Sequence, residues 1–382
     1  MWSRYLVLSS CLLVALSGCS RLRPKPATEY VYVTSKQTFL RDRVAAVSNR
    51  TATVENGDKL EVLEKNRRFF KVKTDKGEQG WIDDRAVATQ DVFSEFSSLK
   101  QEHEKDPVIA GGVVRDDVYL HTKPGREADK LFRLMEGEKL KLLRRATLPR
   151  PATPGQRLAR PSTAPKTTTG VEEGPPPQVM EDWWLVRDSK GQTGWLYSRM
   201  MDVDAPDAIM RYSEGQRIVG AYVLTKVNDP EAPQDDKSVP VYLTVLSPYK
   251  AGLPYDFDQV RVFTWNVKKH RYETGFRERN IEGYLPVEIG MARDPYGKAP
   301  ASMAEAPTFS YRVLAADAPP VIPDPVTGSI VPTKTNLKTY RLEGNLVRRI
   351  VQPGTEAPMD AHPMPVAEKK KRAATAKSRR RR

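Results

Sequence analysis

The sequence predicts an all-β protein: two small β-barrels, then a C-terminal β-rich domain, with a disordered loop and a disordered tail. Three observations predict this. A strand–turn–strand pattern in the first half occurs twice. Further β-like runs fill residues 208–351. Proline-rich and single-charge stretches interrupt or follow these segments and lack the apolar residues a packed core needs.

The repeat is closest at its end. Phe69-Phe70-Lys71-Val72 leads through Lys76-Gly77 to Gly80-Trp81-Ile82, and Trp183-Trp184-Leu185-Val186 leads through Lys190-Gly191 to Gly194-Trp195-Leu196 with the same spacing. Upstream, Gly57-Asp58-Lys59-Leu60 matches Gly137-Glu138-Lys139-Leu140, and Phe39-Leu40-Arg41 matches Tyr119-Leu120-His121. Leu60 and Val62, like Phe70 and Val72, alternate with polar residues as half-buried strands do. Gly77 and Gly191 suit hairpin turns. Gly80 and Gly194, inside strand patterns, mark a bulge or a close backbone approach. Trp81, Trp184 and Trp195 are expected to pack in the barrel cores.

These motifs place a first barrel at residues 31–89 and a second at 113–203. Between them, residues 90–112 form a helical linker: Asp91 caps a short amphipathic helix whose apolar face is Val92, Phe93, Phe96 and Leu99. The second barrel carries a Pro-rich insert at 146–180, expected to be disordered.

The two segments resemble the bacterial SH3-like (SH3b) domain family, in two tandem copies. The likeness lies in the Gly-x-x-Leu-x-Val/Leu strand, the aromatic strand around Phe70 or Trp184, and the closing Gly-x-x-Gly-Trp-aliphatic. The family's opening motif is matched in part, by Leu40-Arg41 and Leu120-His121. The resemblance implies SH3-like barrels that bind peptidoglycan or peptides.

The third domain, residues 208–351, is read from strand-like runs at Ile218–Val227, Val239–Leu246, Gln259–Trp265, Arg271–Phe276, Phe309–Leu314 and Tyr340–Ile350. It matches no pattern that names a family.

Residues 1–19 have Arg4, a short apolar run and Leu16-Ser17-Gly18-Cys19. The run is too short to span a bilayer and reads as a secretory signal. Its end resembles the lipobox of bacterial lipoproteins. That implies acylation of Cys19 (a palmitate-type anchor), and Ser20 points to the periplasmic face of the outer membrane. The two cysteines are Cys11 and Cys19, so export leaves no thiol for a disulfide, metal site or nucleophile. Residues 352–382 are expected to form a disordered basic tail. Nine Lys and Arg stand against Glu368 in its last fifteen residues, in a chain of net charge +14. Behind an export signal its partners would be an anionic polymer or lipid, and no nucleic acid is expected.

No catalytic constellation emerges. The histidines His103, His121, His270 and His362 lack metal-ligand spacing; His121 and His270 are expected to face solvent near strand ends. No cofactor, metal or catalytic residue is assigned, and the chain is expected not to be an enzyme. The expected function is a non-catalytic cell-envelope lipoprotein, anchored in the membrane and binding peptidoglycan or an envelope protein. Aromatics at the barrel surface are the candidate ligand-binding residues: Tyr119, Trp183, Tyr197, Tyr32 and Phe69, with Phe69 and Trp183 on the outward strand face. One alternative is a structural or assembly subunit of an envelope complex. The other is an enzyme within 208–351, expected only if Asp256, Asp258 and Glu273 gather in a cleft.

Overall fold

A computed structural model describes residues 28–45, 47–151, 178–232, 235–297, 300, 303–351 and 354–361. The chain is all-β; the described residues form three antiparallel sheets of seven strands, and the chain divides into two compact units, 1–93 and 94–382.

The first unit is one barrel-like sheet. Its strands are β1 (Tyr30–Val33), β2 (Gln37–Arg41), β3 (Arg50–Glu55), β4 (Lys59–Asn66), β5 (Phe69–Lys73), β6 (Gln79–Asp83) and β7 (Val87–Thr89). They pair in the order β3-β2-β6-β5-β4-β1-β7. Period-2 alternation sends Val31, Val33, Leu40, Val54, Leu60, Val72 and Ile82 into one core. A Cβ on Gly80 would lie 2.7 Å from that of Leu40, so only glycine lets β6 approach β2 here. Trp81 departs from its expected core position. Its neighbours Gly80 and Ile82 point inward, so Trp81 points out and is half-buried, while Ile82 fills the core.

Helix α1 (Gln90–Glu102) follows β7 directly and runs from the first unit into the second, with Asp91 in its first turn rather than capping it. Phe96 is buried edge-on to Phe132. A Cβ on Gly194 would approach the Phe96 ring to 2.9 Å.

The second barrel comprises β8 (Ala110–Val114), β9 (Val118–His121), β10 (Lys130–Leu134), β11 (Lys139–Pro149), β12 (Met180–Arg187), β13 (Thr193–Tyr197) and β14 (Met201–Val203). Their order, β10-β9-β13-β12-β11-β8-β14, repeats that of the first barrel strand for strand. Residues 110–112 are therefore strand, not linker. The insert is also shorter than 146–180. β11 and β12 stay paired from Lys141↔Arg187 out to Pro149↔Met180, because Ala146, Thr147, Trp183 and Asp182 find buried partners there. Residues 152–177 of the expected insert lie outside the described residues.

Helix α2 (Asp207–Met210) leads into the third sheet: β15 (Arg217–Asn228), β16 (Ser238–Ser247), β17 (Phe257–Asn266), β18 (Arg271–Arg293), β19 (Glu305–Leu314), β20 (Thr335–Glu343) and β21 (Leu346–Ile350), a meander in chain order. The 23-residue β18 gives its first half to β17 and its second to β19, with a register break between Tyr284 and Glu288. The sheet thus folds over a shared core that includes Leu243, Val262, Phe257, Phe309, Tyr311 and Tyr340. Within that core Glu278 accepts hydrogen bonds from Tyr311 (2.5 Å), Tyr340 (2.6 Å) and Lys338. Lys338 also pairs with Asp360 at 2.8 Å, and Asp360 bridges to Ala315. The expected tail boundary at 352 is thereby corrected: residues near 360 belong to the fold, because Asp360 pairs with a buried lysine. Residues 362–382 lie outside the described residues.

The second barrel and the third sheet are joined by buried charge. Arg145 of β11 donates from Nε to Asp256 (2.8 Å) and from Nη2 to the carbonyls of Leu253 (3.0 Å) and Tyr255 (2.6 Å). Its Nη1 lies 3.5 Å from Asp182, which Arg217 approaches to 3.7 Å. Asp182 also accepts the Gly252 N–H, and Asp256 that of Leu285. Beside this network, Thr147 donates its N–H to Gly328.

Candidate functional site

The outward face of the first barrel gathers aromatic and cationic side chains on rigid strands. Inward packing of Val72 and Ile82 leaves Phe69 and Lys71 of β5, and Trp81 and Asp83 of β6, pointing the other way. The register sets Phe69 opposite Asp83 and Lys71 opposite Trp81, and Arg41 of β2 opposite Trp81 on its other side. Trp81 therefore lies between two cations. The Arg68 guanidinium is 5.3 Å from the Phe69 ring and 3.9 Å from Asp83. The Arg85 N–H donated to Asp83, reinforced by Arg68, holds this carboxyl below its ordinary range. At the start of β3, Arg50 lies over Phe39 of β2 at 3.8 Å. Half-buried aromatics can stack on sugar rings or peptide planes, and the flanking cations can meet carboxylates.

Of the expected ligand-binding residues, Phe69 alone lies on this face. Tyr32 is buried, a correction: β1 is an interior strand, Phe93 stacks on the ring at 4.0 Å, and the hydroxyl donates to Gln90. Trp183 is likewise not outward-exposed. It is 2% exposed, packed with Leu143, Ala146, Leu185 and Trp195, with Leu99 and Tyr197 beside them. Its burial follows from substitution within the repeat: Leu185 stands where the first barrel has Lys71, and Tyr197 where it has Asp83. Tyr197 is half-buried, with Arg126 5.1 Å from its ring. Tyr119 is half-buried beneath Lys130 at 5.2 Å, repeating the Phe39–Arg50 pair. Cys19 lies outside the described residues.

Trp81, Arg41 and Lys71 were not among the expected contacts, yet the sequence held the signal. If Phe70 and Val72 face inward and Gly80 packs closely, Trp81 must face outward.

Neither expected solvent-facing histidine is free. His121 donates from Nδ1 to the Ala128 carbonyl (3.0 Å) and lies edge-on to Trp183; burial pushes its pKa down. His270 bonds Asp229 (2.8 Å) and lies 3.0 Å from Glu231, and the Asp229 hydrogen bond raises its pKa. Asp256, Asp258 and Glu273 do not gather. Asp256 is engaged by Arg145, Asp258 by Gln216, and Glu273 by Asn266 and Lys269. Glu273 pairs opposite Thr264, six residues along β17 from Asp258, a separation of about 20 Å in strand rise.

The first unit is a small antiparallel barrel with an aromatic-cationic outward face. Residues 37–88 match the family described as Bacterial SH3 domain. No curated protein matches the chain. Three of the solved structures that resemble it are as follows. An NlpC/P60 family protein from Bacillus cereus shares 9% identity, over 65% of this chain and 99% of its own, at a TM-score of 0.22. NlpC2 from Trichomonas vaginalis shares 7%, over 66% and 93%, at 0.16. NlpC1 from the same organism shares 6%, over 65% and 88%, at 0.15.

Proposed function

We propose that this chain is a non-catalytic lipoprotein of the cell envelope whose first barrel binds peptidoglycan, through its stem peptides. The outward row Arg41–Trp81–Lys71 with Phe69 carries the reading. A stacking surface flanked by cations suits a peptide rich in carboxylates. The match to the Bacterial SH3 domain supports a peptidoglycan or peptide ligand. Anchoring through acylated Cys19, at the periplasmic face of the outer membrane, belongs to the same proposal and rests on the lipobox resemblance. Sedimentation of the mature protein with isolated sacculi at low salt tests it. Wild type should pellet and Trp81→Ala should remain largely in solution; equal pelleting of both would discard this face as the ligand site.

A second reading concerns the second barrel. Its strand order supports a second module of the same family, put to structural use. Its outward Trp183 and Trp195 are sealed, and Arg145 joins it to the third sheet. In this reading it is an assembly part. A chain with the second barrel's surface altered at Tyr119 and Tyr197 should still pellet with sacculi.

A further inference from the structure

The third sheet carries three arginines that converge on one carboxylate. Arg261 and Arg277 are directly opposed across β17 and β18, and Arg279 stands opposite Gln259 one step along the same face. Like charges directly opposed across a sheet are destabilising unless something compensates them. Glu214 compensates in part: one oxygen, Oε2, lies 2.7 Å from Arg277, 3.0 Å from Arg261 and 3.5 Å from Arg279. Three cations thus share a single oxygen. Arg261 has only 2% of its side chain exposed, and its Nε, like that of Arg277, has no hydrogen-bond partner. Buried Nε donors without a partner call for an acceptor.

Glu214 itself is held by an unusual device. It has φ +53° in the turn between α2 and β15, a region that L-residues other than Asn and Asp rarely enter, followed by Gly215 at φ +77°. More than half of its side chain is exposed, as is that of Arg279. The arginines stand on paired strands, Arg261 fixed further by donating to the Tyr212 carbonyl at 2.5 Å and Arg279 by donating to Gln259 at 2.9 Å. The cationic side is rigid and the anionic side is a surface turn open to water.

We propose that Arg261, Arg277 and Arg279 form an oxyanion-binding site, for a phosphoryl or carboxylate group, in which Glu214 is an intramolecular stand-in that an external anion displaces. A ligand with two or three oxygens can meet donors that one carboxylate oxygen leaves unpaired, and forked guanidiniums favour such bidentate contacts. The site lies on the third sheet and does not depend on wall recognition by the first barrel.

Calorimetric titration of the mature chain with inorganic phosphate, and separately with acetate, at low ionic strength tests this. Glu214→Gln removes the competing charge and should tighten binding by about tenfold, the scale of one hydrogen bond to a charged group. Arg279→Gln, at an exposed position, should weaken binding by a similar factor in the Glu214→Gln background without loss of fold. Stronger binding of phosphate assigns a phosphoryl ligand, and equal or stronger binding of acetate assigns a carboxylate. Absence of saturable binding by Glu214→Gln at concentrations up to about 10 mM, weaker than any useful affinity here, would overturn the proposal. So would binding that Arg279→Gln leaves unchanged.

Discussion

The two barrels share strand order, turn glycines and core positions, yet they treat the same outward face in opposite ways. In the first, that face is Phe69, Lys71, Trp81 and Asp83, half-buried and flanked by arginines. In the second, the matching positions are Trp183, Leu185, Trp195 and Tyr197, and the first three are buried. Two substitutions, a lysine by leucine and an aspartate by tyrosine, turn a wet face into a packed one. Inward positions set the fold, and outward positions decide whether a face stays open to solvent or is packed over.

The first place to break this comparison is the junction. Arg145→Met leaves Asp256 without its cation and buried Asp182 with Arg217 alone at 3.7 Å, so unfolding stability should fall by about 3 kcal/mol. Urea titration followed by tryptophan fluorescence would show it. A loss within error would mean that the second barrel is not held to the third sheet by charge.

Trp183→Ala opens a cavity in a sealed cluster and should destabilise by about 3–5 kcal/mol, whereas Phe69→Ala at the matching position should remain within about 1 kcal/mol. Similar losses in the same titration would erase the distinction between the two faces. Binding should show the reverse order. Trp81→Ala is expected to weaken association with sacculi by about tenfold or more, the scale of a central aromatic anchor, with little change in thermal midpoint.

Smaller effects sharpen the view of the third sheet. His270 has its pKa raised, first by its hydrogen bond to Asp229. Its contribution is therefore complete below the unfolded value, about 6.5, and is lost as pH rises through the folded value. Asp229 has its pKa lowered, first by the Trp265 indole N–H. Its contribution is present above the unfolded value, about 3.9, and is lost as pH falls through the folded one. His270→Gln should flatten the decline in melting temperature above about pH 6.5 and leave the acid limb. Asp258 moves the other way. Burial pushes its pKa up to about 6, so its ionisation opposes folding as pH rises from about 3.9 to that value. Asp258→Asn should raise the melting temperature slightly at pH 7 while still accepting the Gln216 hydrogen bond.

Much of this was legible in the residues. Alternation and glycine placement mark both barrels, because a strand with one buried face must repeat every two residues. The same rule placed Phe69 outward, and applied strictly to Gly80-Trp81-Ile82 it places Trp81 beside it. What alternation does not reveal is what lies over an outward face. Trp183 and Phe69 hold the same strand position, and beyond the change from Lys71 to Leu185 their different burial depends on Leu143, Ala146 and Leu99, distant in sequence. Tyr32 was hidden for the same reason, since Phe93 stacks on it from 61 positions away.

By itself the sequence determined the β class, the repeat, the hairpin glycines and the chemistry of each strand face. These follow from backbone sterics and hydrophobic period, which act over a few residues. Only the tertiary structure decided which aromatics reach solvent, that Arg145 is locked between Asp182 and Asp256, that Asp360 returns to the sheet, and that three arginines meet at Glu214. Each of these depends on strand order and register, which bring together groups tens of residues apart, and local patterning does not encode those separations.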